Sequence, residues 1–186
     1  VFVCPSWAGG RDWEAGTYSP LTNTMYFPLR NTCSRVIATS NFQSQRARAL
    51  AEGGPGGLDI YSLAARHQLV PGTDNLGTVR AVSVETGETR WIYEQRAGTM
   101  SLVATGGGLV FGGDSNGRFR AFDDESGEVL WEINLGAPVS GYPISYAVNG
   151  RQYVAVNTGS GSNSLTPELR PSSGSNLFVF ALPSRD

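Results

Sequence analysis

His67 is the single histidine of the chain, and no serine or cysteine stands in a recognisable nucleophile motif that it could serve as base. A hydrolase needs nucleophile, base and orienting acid within hydrogen-bond reach, so that chemistry has little support. Asp123, Asp124 and Glu125 could gather a cation, yet the run "DDESGE" reads as a hairpin turn with solvated carboxylates. "GGDSNG" at 112–117 is faintly like a calcium loop, but it lacks the ligand spacing and terminal glutamate of an EF-hand and reads as a turn. Cys4 and Cys33 lack the CxxC or Cys/His spacing of a zinc site. By themselves the two cysteines fit a disulfide and a pair of buried thiols equally well.

The elements that would carry such residues are announced by a repeat. "GTVRAVSVETGETRWIYE" at 77–94 returns forty residues later as "GRFRAFDDESGEVLWEIN" at 117–134, and seven of the first fifteen aligned residues are identical. Among them are Gly77/Gly117, Arg80/Arg120, Gly87/Gly127 and Trp91/Trp131. A period of this size marks a repeat architecture. Each unit reads as two alternating strands around a turn in which glycine supplies positive φ and Asp124 and Ser126 bond their own backbone. Two more strands precede the second unit, "MSLVATGGG" and "LVFGGDSNG", making four antiparallel strands in about forty residues. Asn149-Gly150 lies between two alternating runs and predicts a hairpin, and "SNLFVFALP" predicts a last strand. "VFVCPSWAGG" reads as strand, and "WEAGTYSPLTNTMYFPLRN" reads as two strands around Pro20 to Asn23.

Between Cys33 and Leu76 the alternation fails, so residues 34–75 are expected to form a long connection within a blade, with a short helix at "SQRARALAEGG". A four-stranded unit exposes an apolar face it cannot cover alone, and radial stacking of such units is how β-propellers bury it. The expected fold is therefore all-β, with residues 1–186 forming a partial propeller. The strands fill about two complete blades and parts of others, below the four to eight of a closed ring.

Composition agrees. The chain has 24 glycines, 10 prolines and 16% charged residues over 186 positions, a balance suited to short strands and tight turns. All 14 basic residues are arginines, without a basic run, and the net charge is −2. The electrostatic footprint of a nucleic-acid binder is missing. No stretch approaches the roughly 18 to 20 apolar residues needed to span a bilayer. The chain begins inside an apparent strand without a methionine, as a piece of something longer would.

The repeat, a strand ending "RAFD" followed by "xxSGExLW", resembles the tryptophan-docking repeat of quinoproteins that bind pyrroloquinoline quinone (PQQ). "GGLVFGGDSNGRFRAFDDESGEVLWEINLGAPVSGYPISYAVNGRQYVAV" is similar to the last blades of the PQQ-dependent alcohol dehydrogenases, and "NLFVFALP" to their C-terminus. "CPSWAGGRDWEAGTYSP" resembles the blade that carries a PQQ-contacting asparagine. The resemblance implies the C-terminal blades of an eight-bladed propeller, whose axis holds PQQ and a calcium or lanthanide ion, and which oxidises alcohols in the periplasm or outside the cell. It places Asp12 and Trp13 at the cofactor, with Asp12 where the family has asparagine. It places the catalytic aspartate and the metal ligands in the other half of the family's chain. A tryptophan near the quinone is replaced here by Thr99 or a neighbour, and a late Gly-Trp is missing around Ser160 to Asn163.

A similar cysteine pair closes this blade in some of these dehydrogenases, which implies a Cys4–Cys33 disulfide. Such a piece would be inactive alone and would associate with the remaining blades or with itself. The alternative expectation is a non-catalytic propeller scaffold or protein-interaction module with quinoprotein-like repeats.

Overall fold

The computed structural model describes residues 2–6, 9–35, 67–159 and 174–182. Among the described residues the secondary structure is all strand, and every strand pairing is antiparallel. A small sheet joins β1 (Phe2–Val3), β4 (Thr32–Arg35) and β5 (His67–Leu69) in the order β1-β4-β5. The first four-stranded sheet runs β2-β3-β6-β7, from β2 (Thr17–Ser19) and β3 (Thr24–Arg30) to β6 (Gly77–Ser83) and β7 (Thr89–Gln95). The second comprises β8 (Thr99–Thr105), β9 (Leu109–Asp114), β10 (Arg118–Asp123) and β11 (Val129–Asn134), in chain order. A last sheet holds β12 (Ile144–Val148), β13 (Arg151–Asn157) and β14 (Leu177–Phe180).

The two repeated units fold alike down to their irregularities. Ala81 faces Trp91 and Ala121 faces Trp131, and each hairpin has a bulge at the next position, between Ala81 and Val82 and between Ala121 and Phe122. Gly87 and Gly127 take φ of 73° and 75°, a left-handed conformation that glycine adopts without the steric cost of a Cβ. The Gly87 N–H donates to the Ser83 carbonyl at 2.9 Å, and Gly127 N–H to the Asp123 carbonyl at 3.0 Å. At the third hairpin Asn149 and Gly150 have φ of 51° and 76°, the paired positive values a two-residue hairpin loop requires.

The core lies between sheets. Tyr26, Val79, Ala81, Leu102, Val110 and Phe122 fill the layer between the two four-stranded sheets. Phe119, Val139, Val154 and Val156, with Phe178 and Phe180 packed on them, fill the layer between the second sheet and the last. Burying one such side chain is worth roughly 1.5–3 kcal/mol. β10 is therefore buried on both faces, and strict alternation understates it, because Arg120 and Phe122 are as covered as Phe119 and Ala121.

The structure departs from the sequence expectations at several points. Among the described residues of the opening segment, only Phe2–Val3 is strand. Within the stretch read as one long connection, β5 pairs with β4, Cys33 facing Gln68, while the expected helix at 44–54 lies outside the described residues. The run Asp123–Glu125 is not uniformly solvated: Asp124 is buried, its carboxylate accepting Ser19 Oγ at 2.9 Å from the neighbouring sheet. Asp123, rather than Asp124, holds its own turn, accepting the Ser126 N–H and hydroxyl at 2.8 Å each. "GGDSNG" is a turn as read, with Asp114 Oδ1 accepting the N–H groups of Asn116 and Arg118 at 2.9 and 3.0 Å.

The repeat tryptophans share a register but not a surrounding. Trp91 Nε1 donates to the Asp124 carbonyl at 3.2 Å, so the first unit docks on the turn of the second. Trp131 instead packs edge-on against Phe119 and Phe180, at ring separations of 6.2 and 5.2 Å.

Candidate functional site

Three of the four sheets present their first strand to the same place. β2 and β12 both lie against β8, which makes these three the inner strands of a radial stack. β8 and the chain leading into β2 run in the same direction. Leu102 N–H donates to the Ala15 carbonyl at 2.9 Å, and two residues further along both segments Ala104 N–H donates to Thr17 Oγ1, also at 2.9 Å. The residues just ahead of β2 and β8 therefore gather at one end of the axis, and the contact of Trp13 with Tyr142 brings the residues ahead of β12 to the same end.

Asp12 and Trp13 lie there, four to five residues before β2. Trp13 is 47% exposed. Its ring meets Tyr142, two residues ahead of β12, at a centroid distance of 6.0 Å and an interplanar angle of 69°. Tyr142 Oη donates to the Trp13 carbonyl at 3.3 Å. Gly141, next to Tyr142, packs closely on β13, since a Cβ there would come within 1.5 Å of Asn157 Oδ1. Asp12 is exposed, and its N–H donates to Glu14 Oε2 at 3.3 Å. Glu14 is itself buried and ion-paired to Arg30, so the backbone before β2 is tied to β3. Arg11 stacks over the Phe27 ring at 5.7 Å.

Thr99 opens β8 and is buried, accepting Gln95 Nε2 from the end of β7 at 3.1 Å. It belongs to a buried network that no sequence feature flagged. Arg120 donates to Asp114 Oδ2 at 2.8 Å, to Gln95 Oε1 at 2.7 Å and to Glu132 Oε2 at 2.6 Å, and stacks over Tyr93. Burial disfavours the Arg120 charge, but Asp114 beside it, together with Tyr93 and Glu132, outweighs that and raises its pKa. Burial likewise pushes the Glu132 carboxyl up, yet Arg120 and then Arg118 hold it below the usual value.

The family resemblance named Asp12 and Trp13, which the fold brings to the axis end, and nothing in the sequence pointed to Tyr142 beside them or to the Arg120 network. Tyr142 stands in "GYP" with no periodic or motif signal, and only the stacking of non-adjacent sheets brings it to Trp13. His67 begins β5, in the small sheet, away from these residues in the topology. Ser160 to Asn163 lie outside the described residues. Cys4 and Cys33 form a disulfide that ties the chain after β1 to β4.

Two half-exposed aromatic rings suit a planar conjugated ring, for which stacking on one aromatic side chain is worth roughly 1–3 kcal/mol. The pair is of a kind that fits the planar ring of PQQ. A metal ion is less well provided for: among the described residues there is no group of three or more His, Cys, Asp or Glu. An open polar depression of about 470 Å³, lined by Ser140, Asn157, Thr158, Gly159, Ser175 and Asn176, neighbours Tyr142 and carries no charged group.

The family model of the PQQ glucose/ethanol/alcohol dehydrogenase β-propeller domain matches residues 75–154. The quinoprotein ethanol dehydrogenase of Pseudomonas aeruginosa is 29% identical over 194 residues, covering 100% of this chain and 29% of the relative. The quinoprotein alcohol dehydrogenase PedE of Pseudomonas putida is 28% identical with the same coverage. The lanthanide-dependent methanol dehydrogenase of Methylacidiphilum fumariolicum is 31% identical over 161 residues, 86% of this chain and 25% of that protein. Among solved structures, a europium-containing methanol dehydrogenase superposes with a TM-score of 0.73 at 24% identity, over 97% of this chain and 34% of its own, which supports the propeller fold. The chain spans about 29% of the length of the curated relatives it matches most fully. Repeat, stacked sheets and relatives agree that the chain belongs to the PQQ-type β-propeller family of the quinoprotein alcohol dehydrogenases.

Proposed function

We propose that the chain forms the C-terminal blades of a PQQ-dependent dehydrogenase of alcohols, supplying part of the propeller and one wall of its cofactor pocket. The observation that carries this reading is the half-exposed Trp13–Tyr142 pair at the leading ends of the inner strands. When bound, PQQ with its calcium or lanthanide ion supplies the acceptor for the two electrons of the alcohol. Trp13 offers its ring face to the cofactor, and Asp12 borders it. A carboxylate next to a multiply anionic cofactor is unfavourable unless a cation offsets it, so Asp12 lowers affinity relative to asparagine.

The same reading makes the isolated chain inactive, because the general base and metal ligands come from other blades. It also makes the chain associate. Ile144, Tyr146, Val148 and Val179 lie on one exposed face of the last sheet, and Tyr18, Met25 and Ile92 are exposed on the first four-stranded sheet. Contiguous apolar faces of this kind mark contact surfaces. The disulfide supports residence in the periplasm or outside the cell, where such bonds persist.

The test is a PQQ titration with calcium present, read by tryptophan quenching, on the chain and on its Asp12→Asn variant. The reading expects weak binding that Asp12→Asn strengthens, together with sedimentation larger than a monomer. A monodisperse chain with no PQQ response in either form assigns the blades to a non-catalytic scaffold instead.

A further inference from the structure

The first four-stranded sheet and the last sheet are separated by a whole blade, yet they touch beside the axis through Trp13 and Tyr142, 129 residues apart. Tyr142 makes two distinct contacts there. Its ring stands edge-on to the Trp13 indole, and its hydroxyl reaches the Trp13 main-chain carbonyl. Together they fix both the backbone and the ring plane of a side chain that is otherwise half in water. Tyr142 is itself 54% exposed, so the contact does not come from burial in a core. Its backbone is held in turn by Gly141 packed on Asn157, and by the pairing of Ile144 with Ala155.

We infer that Tyr142 is a positioning residue of the cofactor wall, holding Trp13 in the orientation in which it stacks on the planar quinone and adding its own ring to the same wall. The inference rests on the proposed function. Its physical basis is preorganisation: an exposed tryptophan on an irregular segment loses rotamer freedom when a ligand stacks on it, and a clamp that removes this freedom beforehand raises affinity. An edge-to-face partner and a hydroxyl anchored on a backbone carbonyl form such a clamp.

The test uses the chain labelled with 5-fluorotryptophan, whose four tryptophan resonances are assigned by single Trp→Phe substitutions and followed by fluorine NMR. Removing the ring with Tyr142→Ala shifts and broadens the Trp13 signal before any ligand is added, while the signals of Trp91 and Trp131 stay in place and report an intact fold. On titration with PQQ the Trp13 signal moves in the parent chain, and Tyr142→Ala weakens the apparent affinity by about tenfold, the scale of one aromatic contact. Tyr142→Phe, which keeps the ring and loses a long, exposed hydrogen bond, weakens it by about threefold or less. Equal PQQ affinity in the parent and Tyr142→Ala overturns the positioning role alone. A Trp13 signal that PQQ leaves unmoved in the parent overturns the cofactor wall, and the inference with it.

Discussion

Gly87 and Gly127 occupy the same position of the same turn with φ within 2° of one another, yet they differ in what lies above them. A Cβ at Gly87 would meet nothing within 4 Å. At Gly127 it would come within 2.6 Å of Cδ2 and Cε3 of Trp91. The indole cannot slide away, because Nε1 is bonded to the Asp124 carbonyl and the ring is flanked by Tyr26 and Phe122 at 5.5 and 6.4 Å. Alanine at positive φ costs about 1–2 kcal/mol, offset by about 0.4–1 kcal/mol from the stiffer unfolded chain. Gly87→Ala should therefore lose about 1 kcal/mol. Gly127→Ala carries the same backbone term plus about 1–3 kcal/mol of overpacking. Urea unfolding followed by tryptophan emission reads the difference, and a thermal scan should separate the variants by about 2–4 °C per kcal/mol. In a Trp91→Ala background the two glycine substitutions should become equally costly, since the obstructing ring is gone. Equal losses in the parent background would refute the claim that the tryptophan of one unit docks rigidly on the turn of the next.

Thiol labelling of the unreduced, unfolded chain should find no reactive Cys4 or Cys33, and reduction should lower stability by roughly 3–4 kcal/mol in the chain-entropy model for a separation of 29 residues. Arg120→Ala leaves Asp114 buried without its cation and should cost about 3–5 kcal/mol, whereas Arg80→Ala, at the exposed repeat position, should stay within about 0.5 kcal/mol, both read by urea midpoint. Acid should destabilise the chain through Glu132, held below its usual value by Arg120 and Arg118, and through Asp123, held low by the Ser126 N–H and hydroxyl. These depressed carboxyls stabilise the fold above their unfolded-state values and lose that contribution as pH falls through the folded ones, so Glu132→Gln should flatten the acid limb of a stability–pH curve.

Local signals were legible wherever a turn needs a special residue. Gly87, Gly127 and the Asn149-Gly150 pair each occupy a positive-φ position that few side chains tolerate, so the sequence carries the hairpins openly. The forty-residue period carried the sheets, because each strand set must pack on its neighbour. What stayed hidden depends on neighbours rather than on the residue itself. Arg80 and Arg120 are identical in the aligned repeats, but one is exposed and the other is 5% exposed. Asp124 sits in a turn of ordinary composition and is buried because Ser19 and Tyr26 reach it from another sheet. Tyr142 comes to Trp13 only when three sheets stack. Trp13, by contrast, was legible through family resemblance and not through any physical property of the segment.

The unequal fates of Arg80 and Arg120 say what the stack requires on either side. On β10, Arg120 and Phe122 face the preceding sheet, where Tyr93 and Gln95 receive them, while Phe119 faces the following one. On β6 the register is the same: Val79 and Ala81 face the following sheet, and Arg80 and Val82 face the opposite way. No described sheet supplies β6 with the counterpart of Tyr93 and Gln95, so Arg80 stays in water beside exposed Ile92 and Met25. The last sheet has the mirror problem, with Val154 and Val156 packed inward and Ile144, Tyr146 and Val179 left outward. One repeat geometry therefore leaves a face to be covered at each end of the stack. A flat two-layer sandwich would cover its apolar faces with these sheets alone, whereas a radial stack goes on demanding a neighbour on both sides until it closes.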